Sequence, residues 1–299
     1  MDITYLNGVT GAKRTVVAVG NFDGVHKGHV KLIKETVRLA RSLDAAAAVW
    51  TFDNYAPKRG GGFLIPPGER LPVFASLGVQ VVYTCSFDDV KNDTPETFVA
   101  DVLINGCGAV CGVCGYNFRF GKGASGDARE LRRLMKSRGA DAKIVRAVTC
   151  GGVPVSSTAI RDAVSGGDVK LAAKMLGRPF SIEMPVVHGN RLGTGIGFPT
   201  VNQAYPAGLV ELKHGVYACY AYADGKKYKA VCNAGVKPTV TDGGVMCCET
   251  HLIGCEDDLY GKTVRVDFID FIRDEMKFDS LQKLKEQIAA DTAKVKEMK

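Results

Sequence analysis

Over the first 150 residues the apolar positions switch repeatedly between a two-residue and a 3.6-residue period, and beyond Gly177-Arg178-Pro179 this switching stops. A strand-then-helix pattern that repeats can bury all its apolar faces only if parallel strands are covered by helices on both sides. A doubly wound α/β domain is therefore expected. Thr15 to Gly20 reads as a buried strand, and the helix after it turns Val30, Ile33, Val37 and Ala40 inward and Lys31, Lys34, Arg38 and Arg41 outward. Further strands are expected at Ala46 to Phe52, Val79 to Cys85, Ala109 to Gly115 and Lys143 to Val148. Helices are expected at Pro95 to Ile104, Asp127 to Arg138 and Ser156 to Met175.

After the Gly-Arg-Pro stop, Val216 to Ala223 and Lys227 to Asn233 are rich in β-formers and flank Asp224-Gly225, a strong hairpin signal. With Glu183 to Val187 and Thr263 to Phe268 as further strands, this half reads as an antiparallel barrel. Asp279, with Gln282 three residues on, would cap a final helix whose face carries Leu281, Leu284, Ile288 and Val295. The 299 residues thus divide into domains at 1–182 and 183–299, each large enough for its own core.

The net charge of +7 is confined to the first part: residues 1–182 hold 24 Lys+Arg against 16 Asp+Glu, residues 183–299 hold 15 against 16. Such an excess suits anionic ligands, nucleotides among them. A basic nucleic-acid-binding module is a competing class, but no dense Lys/Arg stripe with interleaved aromatics supports it. No apolar run approaches the ~20 residues of a membrane span, and mean hydropathy is zero. Met1 to Gly11 lacks a basic-then-apolar leader, so a cytoplasmic protein with its ten cysteines as thiols is expected, with no membrane partner.

The segment Gly20-Asn21-Phe22-Asp23-Gly24-Val25-His26-Lys27-Gly28-His29 joins the first strand to the first helix. Its glycines admit close backbone approach by a ligand, and the helix start offers N–H groups and partial positive charge to phosphate. Turn chemistry accounts for the glycines but not for two of the chain's five histidines bracketing Gly28. Imidazoles there can donate to oxygens that gain charge when a nucleotide phosphorus is attacked. Ser156, Ser157, Thr158 and Arg161 converge at another helix start and read as a phosphate grip or, more simply, as a helix cap.

This signature resembles the His-x-Gly-His motif of the nucleotidyltransferases, and its longer form resembles the bacterial bifunctional riboflavin kinase/FMN adenylyltransferase (FAD synthetase) family. The likeness continues through Gly115-Tyr116-Asn117-Phe118-Arg119-Phe120-Gly121-Lys122, Gly126-Asp127 and Val155-Ser156-Ser157-Thr158-Ala159-Ile160-Arg161. In the second half it runs through His188-Gly189, Gly193, Gly197-Phe198-Pro199-Thr200-Val201-Asn202, Asn233 to Thr239, Glu249-Thr250-His251, Asp258-Leu259-Tyr260-Gly261 and Phe271 to Phe278. The resemblance implies a nucleotidyltransferase sheet followed by a kinase barrel, with riboflavin, FMN and ATP as substrates.

By the same resemblance, Gly20, Asn21, Phe22, Gly24, Gly28, Gly189, Gly193 and Gly197 would lie along ATP, and Asp53, Asn117, Arg119 and Arg273 along flavin. His26 and His29 would serve adenylyl transfer. Thr200 and Asn202 would hold Mg2+ through oxygen, which that hard cation prefers. Glu249 matches the family's catalytic carboxylate and would take the proton of the attacking hydroxyl.

Two departures stand out. Thr51-Phe52-Asp53-Asn54-Tyr55-Ala56 replaces the family's Thr-Phe-x-Pro-His-Pro, which leaves open a kinase whose adenylyltransferase domain is weakened, and Gly193-Thr194 replaces a common Gly-Arg. Cys107, Cys111 and Cys114 have the spacing of an iron–sulfur ligand set. On a strand, however, residues three apart face opposite ways, so these thiols are expected to pack as small apolar groups.

Overall fold

A computed structural model describes residues 1–5, 13–53, 61–188, 195, 197–237 and 245–298. The chain forms two compact units, Met1–Ser157 and Thr158–Lys299. In the first, β1 (Asp2–Tyr5), β2 (Thr15–Val19), β3 (Ala46–Phe52), β4 (Val81–Cys85), β5 (Ala109–Gly115) and β6 (Asp141–Val145) form one sheet in the order β1-β4-β3-β2-β5-β6. Every pairing in it is parallel. All five residues of β2 are buried, and alternate ones feed opposite cores, Val17 and Val19 on one face and Val16 and Ala18 on the other. This is why the strand reads as an unbroken apolar run.

Helix α1 (Lys27–Ser42) covers one face, burying Leu32, Ile33, Thr36 and Ala40. Val30 and Val37, expected on the inner stripe, are half-buried at its margin. The short α2 (Arg70–Ser76) was not anticipated; Pro72 sits in its first turn, where a missing N–H costs nothing. A helical turn at Pro95–Thr97 runs into α3 (Phe98–Gly106), which is π-wound. Asp127 caps α4 (Ala128–Lys136), accepting from the Arg129 and Glu130 amides at 2.9 and 2.8 Å. Cys107 and Cys114 pack in one core and Cys111 in the other, so the three sulfurs do not converge.

In the second unit the expected single helix is two, α5 (Ser157–Ser165) and α6 (Val169–Leu176), separated at Gly166-Gly167 with φ +85° at Gly167. Asp168 caps α6, and Gly177, at φ +83°, ends it. Then β7 (Phe180–Pro185), β8 (Val201–Ala204), β9 (Gly215–Ala223), β10 (Lys226–Lys237), β11 (Val245–Leu252) and β12 (Thr263–Arg273) pair antiparallel in the order β7-β12-β9-β10-β11-β8. A bridge between Val187 and Asn202 brings β8 back to the chain leaving β7, closing a barrel. Inside, Gln203 Nε2 donates to the Met184 and Val264 carbonyls, both at 2.7 Å. Asp224 and Gly225, with φ of 48° and 75°, make the expected tight turn from β9 to β10.

Helix α7 (Leu281–Lys296) is capped by Ser280, which accepts from the Lys283 amide at 3.3 Å. The expected cap, Asp279, instead pairs with Lys283 Nζ at 3.0 Å. Leu281 is 64% exposed; the inner face is Asp291, Thr292 and Val295. Arg273 Nη2 and Asp291 Oδ2, 2.8 Å apart, tie β12 to this helix. All ten cysteines are thiols, seven of them buried, and burial pushes Cys85 and Cys114 up to about 12.

Candidate active sites

The chain passes from β2 to β3 on one side of the sheet and from β5 to β6 on the other. The crevice at the C-terminal ends of β2 and β5 is thus the topological switch point, where open α/β sheets bind ligands. A cavity of about 500 Å3 opens there, and Gly20, Asn21, Phe22, Gly28, His26 and His29 contribute one wall. Phe22, Gly24 and Val25 have φ of 52°, 79° and 39°. Left-handed backbone at the two non-glycine positions costs on the order of 1–3 kcal/mol each. It is held in place by the fully buried Phe22 ring, set edge-on to His29 at 5.2 Å and to Phe74 at 5.7 Å. Asp23 adds two ties: its carboxylate accepts from the Leu64 amide at 2.9 Å, and its carbonyl accepts from Ser157 Oγ at 2.9 Å.

That turn delivers His26 to the cap position of α1, where Nδ1 accepts from the His29 amide at 3.3 Å. The two imidazoles stack with centroids 3.6 Å apart at 16°. A Cβ on Gly28 would lie 3.0 Å from His26 Cε1, so the glycine between the histidines is what lets the first ring lie flat. Burial, then the neighbouring His26 and Arg70, hold His29 well below its ordinary 6.5, and its Nδ1 is buried with no partner among the described residues. His29 is therefore neutral at physiological pH, a single N–H donor beside the unfilled amides of a helix start.

Five further aromatic residues line the cavity. Trp50 meets Phe52 at 4.9 Å and Phe98 at 5.0 Å, while Phe118 stacks on Phe120 at 5.5 Å. Such a lining can take a planar conjugated ring. Asn117, Arg119, Ser156 and Ser157 also line it. Gly24 and Asp53 do not; Asp53 sits past the end of β3 with its amide on the Cys85 carbonyl at 3.2 Å. Thr158 and Arg161 fall in the second unit, in the first turns of α5.

In the barrel, strand register places Asn202 opposite Glu249, Glu249 opposite Asn233, Asn233 opposite Val216 and Val216 opposite Arg273. Directly paired residues share a face. Three of the expected kinase residues thus stand in one row on the outer face, because the alternate residues Cys248 and Thr250 are fully buried within. Thr200 lies two residues before Asn202 and lines a cavity of about 220 Å3 with Val186, Pro199, Leu252, Asp257 and Tyr260. Asn202, Glu249 and Arg273 are not among its lining residues. Gly197 follows at φ +87°; Gly189, Gly193 and Asn54 to Ala56 lie outside the described residues.

Residues 10–159 match the family model described as FAD synthetase, and residues 176–299 the one described as riboflavin kinase. The bifunctional riboflavin kinase/FMN adenylyltransferase of Escherichia coli (strain K12) is 35% identical over 289 residues, covering 94% of this chain and 92% of that protein. The chain belongs to the riboflavin kinase/FMN adenylyltransferase family. The Bacillus subtilis (strain 168) member is 32% identical over 287 residues, covering 93% and 90%. A crystal structure described as a macrolide-efflux protein from Streptococcus pneumoniae superposes with a TM-score of 0.89 at 29% identity, over 100% of both chains. No described helix of this family member is long and apolar enough to cross a membrane.

Sequence reasoning missed the aromatic lining and Arg70. The aromatics come from three separate segments, and only the sheet gathers them. Arg70 belongs to a short helix that showed no period, and its 7% exposure is the unusual fact about it.

Proposed function

We propose that this chain phosphorylates riboflavin to FMN with ATP and adenylylates FMN to FAD with a second ATP, releasing pyrophosphate. The observation that carries this reading is the first unit's cavity, lined by stacked imidazoles at a helix start and by five further aromatic rings. In adenylyl transfer an FMN phosphate oxygen attacks the α-phosphorus of ATP, and the bond to the β-phosphate oxygen breaks. Gly20, Asn21, Phe22 and Gly28 bring backbone to the phosphates, with Gly24 shaping the turn. His26 and His29 donate to the α-phosphate oxygens as their charge grows. Ser156 and Ser157 grip the phosphates, and Asn117 and Arg119 orient FMN against the aromatic lining, with Asp53 beside it.

In the kinase step the terminal ribityl hydroxyl attacks the γ-phosphorus, Glu249 takes its proton and ADP leaves. Gly189, Gly193 and Gly197 approach the ATP phosphates, and Arg273 borders the flavin. Thr200 and Asn202 would offer oxygen donors, which suit Mg2+, a cation that takes its remaining ligands from phosphate and water. Bound Mg2+ would neutralise charge on the transferring phosphate. We assign adenylyl transfer to residues 1–182 and phosphorylation to 183–299, and place the protein in the cytoplasm, in keeping with ten unpaired thiols.

The test is to incubate pure protein with riboflavin, ATP and magnesium and separate the flavins. His26→Ala with His29→Ala should abolish FAD and leave FMN formation. Glu249→Gln should do the reverse, with supplied FMN still adenylylated. Equal loss of both steps contradicts the division, riboflavin unchanged by the wild type sinks the function, and FMN without FAD selects the kinase alone.

A further inference from the structure

Arg70 is buried beneath the first unit's cavity wall, not among the residues lining it. Its guanidinium joins two segments that are distant in sequence, at residue 21 and at residues 51–52. Nη1 donates to the Asn21 carbonyl and to Thr51 Oγ1 at 3.2 Å, and Nη2 donates to the Phe52 carbonyl at 2.9 Å. Thr51 Oγ1 in turn donates to the same Asn21 carbonyl at 3.1 Å. One carbonyl in the strained turn thus takes two donors, one of them charged, and charge-assisted bonds are about twice as strong as neutral ones.

The position of that carbonyl matters because Asn21 is the last residue before the left-handed run at Phe22, Gly24 and Val25, and that run aims His26 and His29. Burial lowers the pKa of Arg70, and the carboxylate of Asp23 in the same turn opposes this. The guanidinium therefore holds the turn by its charge as well as by its fork. A buried cation without a ligand contact is costly unless its partners offset the cost, and the Asn21, Thr51 and Phe52 oxygens lie at the turn and at the end of β3.

We propose that Arg70 is a positioning residue for adenylyl transfer, whose forked grip on Asn21, Thr51 and Phe52 fixes the turn that presents His26 and His29. This rests on the functional reading given above. A misplacement of about 1 Å at a reacting geometry costs about 100-fold in rate. Arg70→Met should therefore lower kcat for FMN adenylylation about 100-fold, with KM for FMN and ATP changed less than threefold and riboflavin phosphorylation by the same protein unchanged. Arg70→Lys keeps the charge but loses the fork, and should recover part of kcat.

Both variants are assayed at 25 °C, per folded molecule, with the folded fraction read from the fluorescence of Trp50, the chain's only tryptophan. A merely structural role would lower the melting temperature and leave kcat per folded molecule at the wild-type value, which would overturn the proposal. If Arg70→Met does not fold, Arg70→Lys decides: a fivefold or greater fall in kcat at constant KM supports positioning, and wild-type kcat refutes it. If the wild type itself forms no FAD, the functional reading has failed and not the assignment of Arg70 within it.

Discussion

Replacing Gly28 with alanine tests the site with the smallest change it allows. The new methyl would sit 3.0 Å from His26 Cε1 and 3.1 Å from Nδ1, against the 3.4 Å at which ordinary contact begins, so the ring must retreat by about 0.4 Å. It cannot retreat freely. His26 is 6% exposed, and His29 is stacked 3.6 Å away. Both imidazoles therefore move together, and the bond from the His29 amide to His26 Nδ1, already 3.3 Å, lengthens or turns. If a displacement of about 1 Å costs about 100-fold, this one costs about tenfold in kcat for FAD formation. The backbone resists less, because Gly28 is helical and alanine is the better helix former by up to about 1 kcal/mol. Gly28→Ala should thus unfold no more readily than the wild type while adenylylating FMN about tenfold more slowly, measured with saturating FMN and ATP. Riboflavin phosphorylation in the same samples is the internal control. Undiminished FAD formation would refute the argument that the glycine exists to admit the His26 ring.

Three further outcomes follow from other parts of the molecule. Because His29 is held below 6.5 in the folded state, the unfolded chain binds the extra proton between that lowered value and about 6.5. Stability of the first unit should therefore fall as pH drops through this window, with a limiting slope of about 1.4 kcal/mol per pH unit, and be flat above it. Burial first, then the neighbouring His26 and Arg70, set the shift, and His29→Asn should flatten the slope in urea titrations followed by Trp50 fluorescence. Asp291→Ala strands Arg273, whose side chain is 18% exposed against 5% for Asp291, and should cost the second unit about 3 kcal/mol in calorimetry. A fragment of residues 158–299 should be more stable than one of 183–299, because Lys170 pairs with Asp270 at 2.6 Å and the Lys213 amide donates to the Val164 carbonyl at 3.4 Å. Equal denaturant midpoints would show that α5 and α6 contribute nothing to the barrel.

What the sequence made legible was what neighbouring residues determine. β2 declared itself because a strand covered on both faces is apolar throughout, and Asp224-Gly225 because two consecutive positive φ values exclude most other residues. The His26-x-Gly28-His29 pattern was readable because its parts act within one turn of helix. Less local features were lost. The helix expected over Ser156 to Met175 breaks at Gly166-Gly167, where two glycines outweigh a continuous apolar period. Ser280 displaced Asp279 as a cap through a one-residue choice that both side chains could chemically make. The row joining Asn202, Glu249 and Arg273 depends on the registers of β8 with β11, β10 with β11, and β9 with β10 and β12. No spacing within the sequence encodes that row.

The distribution of thiols gives the protein a built-in clock. Cys85, Cys107, Cys111 and Cys114 are buried in the first unit, and Cys219, Cys232 and Cys248 in the second. A thiol without solvent contact reacts with an alkylating reagent only when its surroundings open. A pulse of reagent followed by peptide mass spectrometry would therefore time the opening of the sheet and of the barrel separately, in one tube and with no engineered label. Comparing the two sets with and without FMN would show which unit a bound flavin keeps closed.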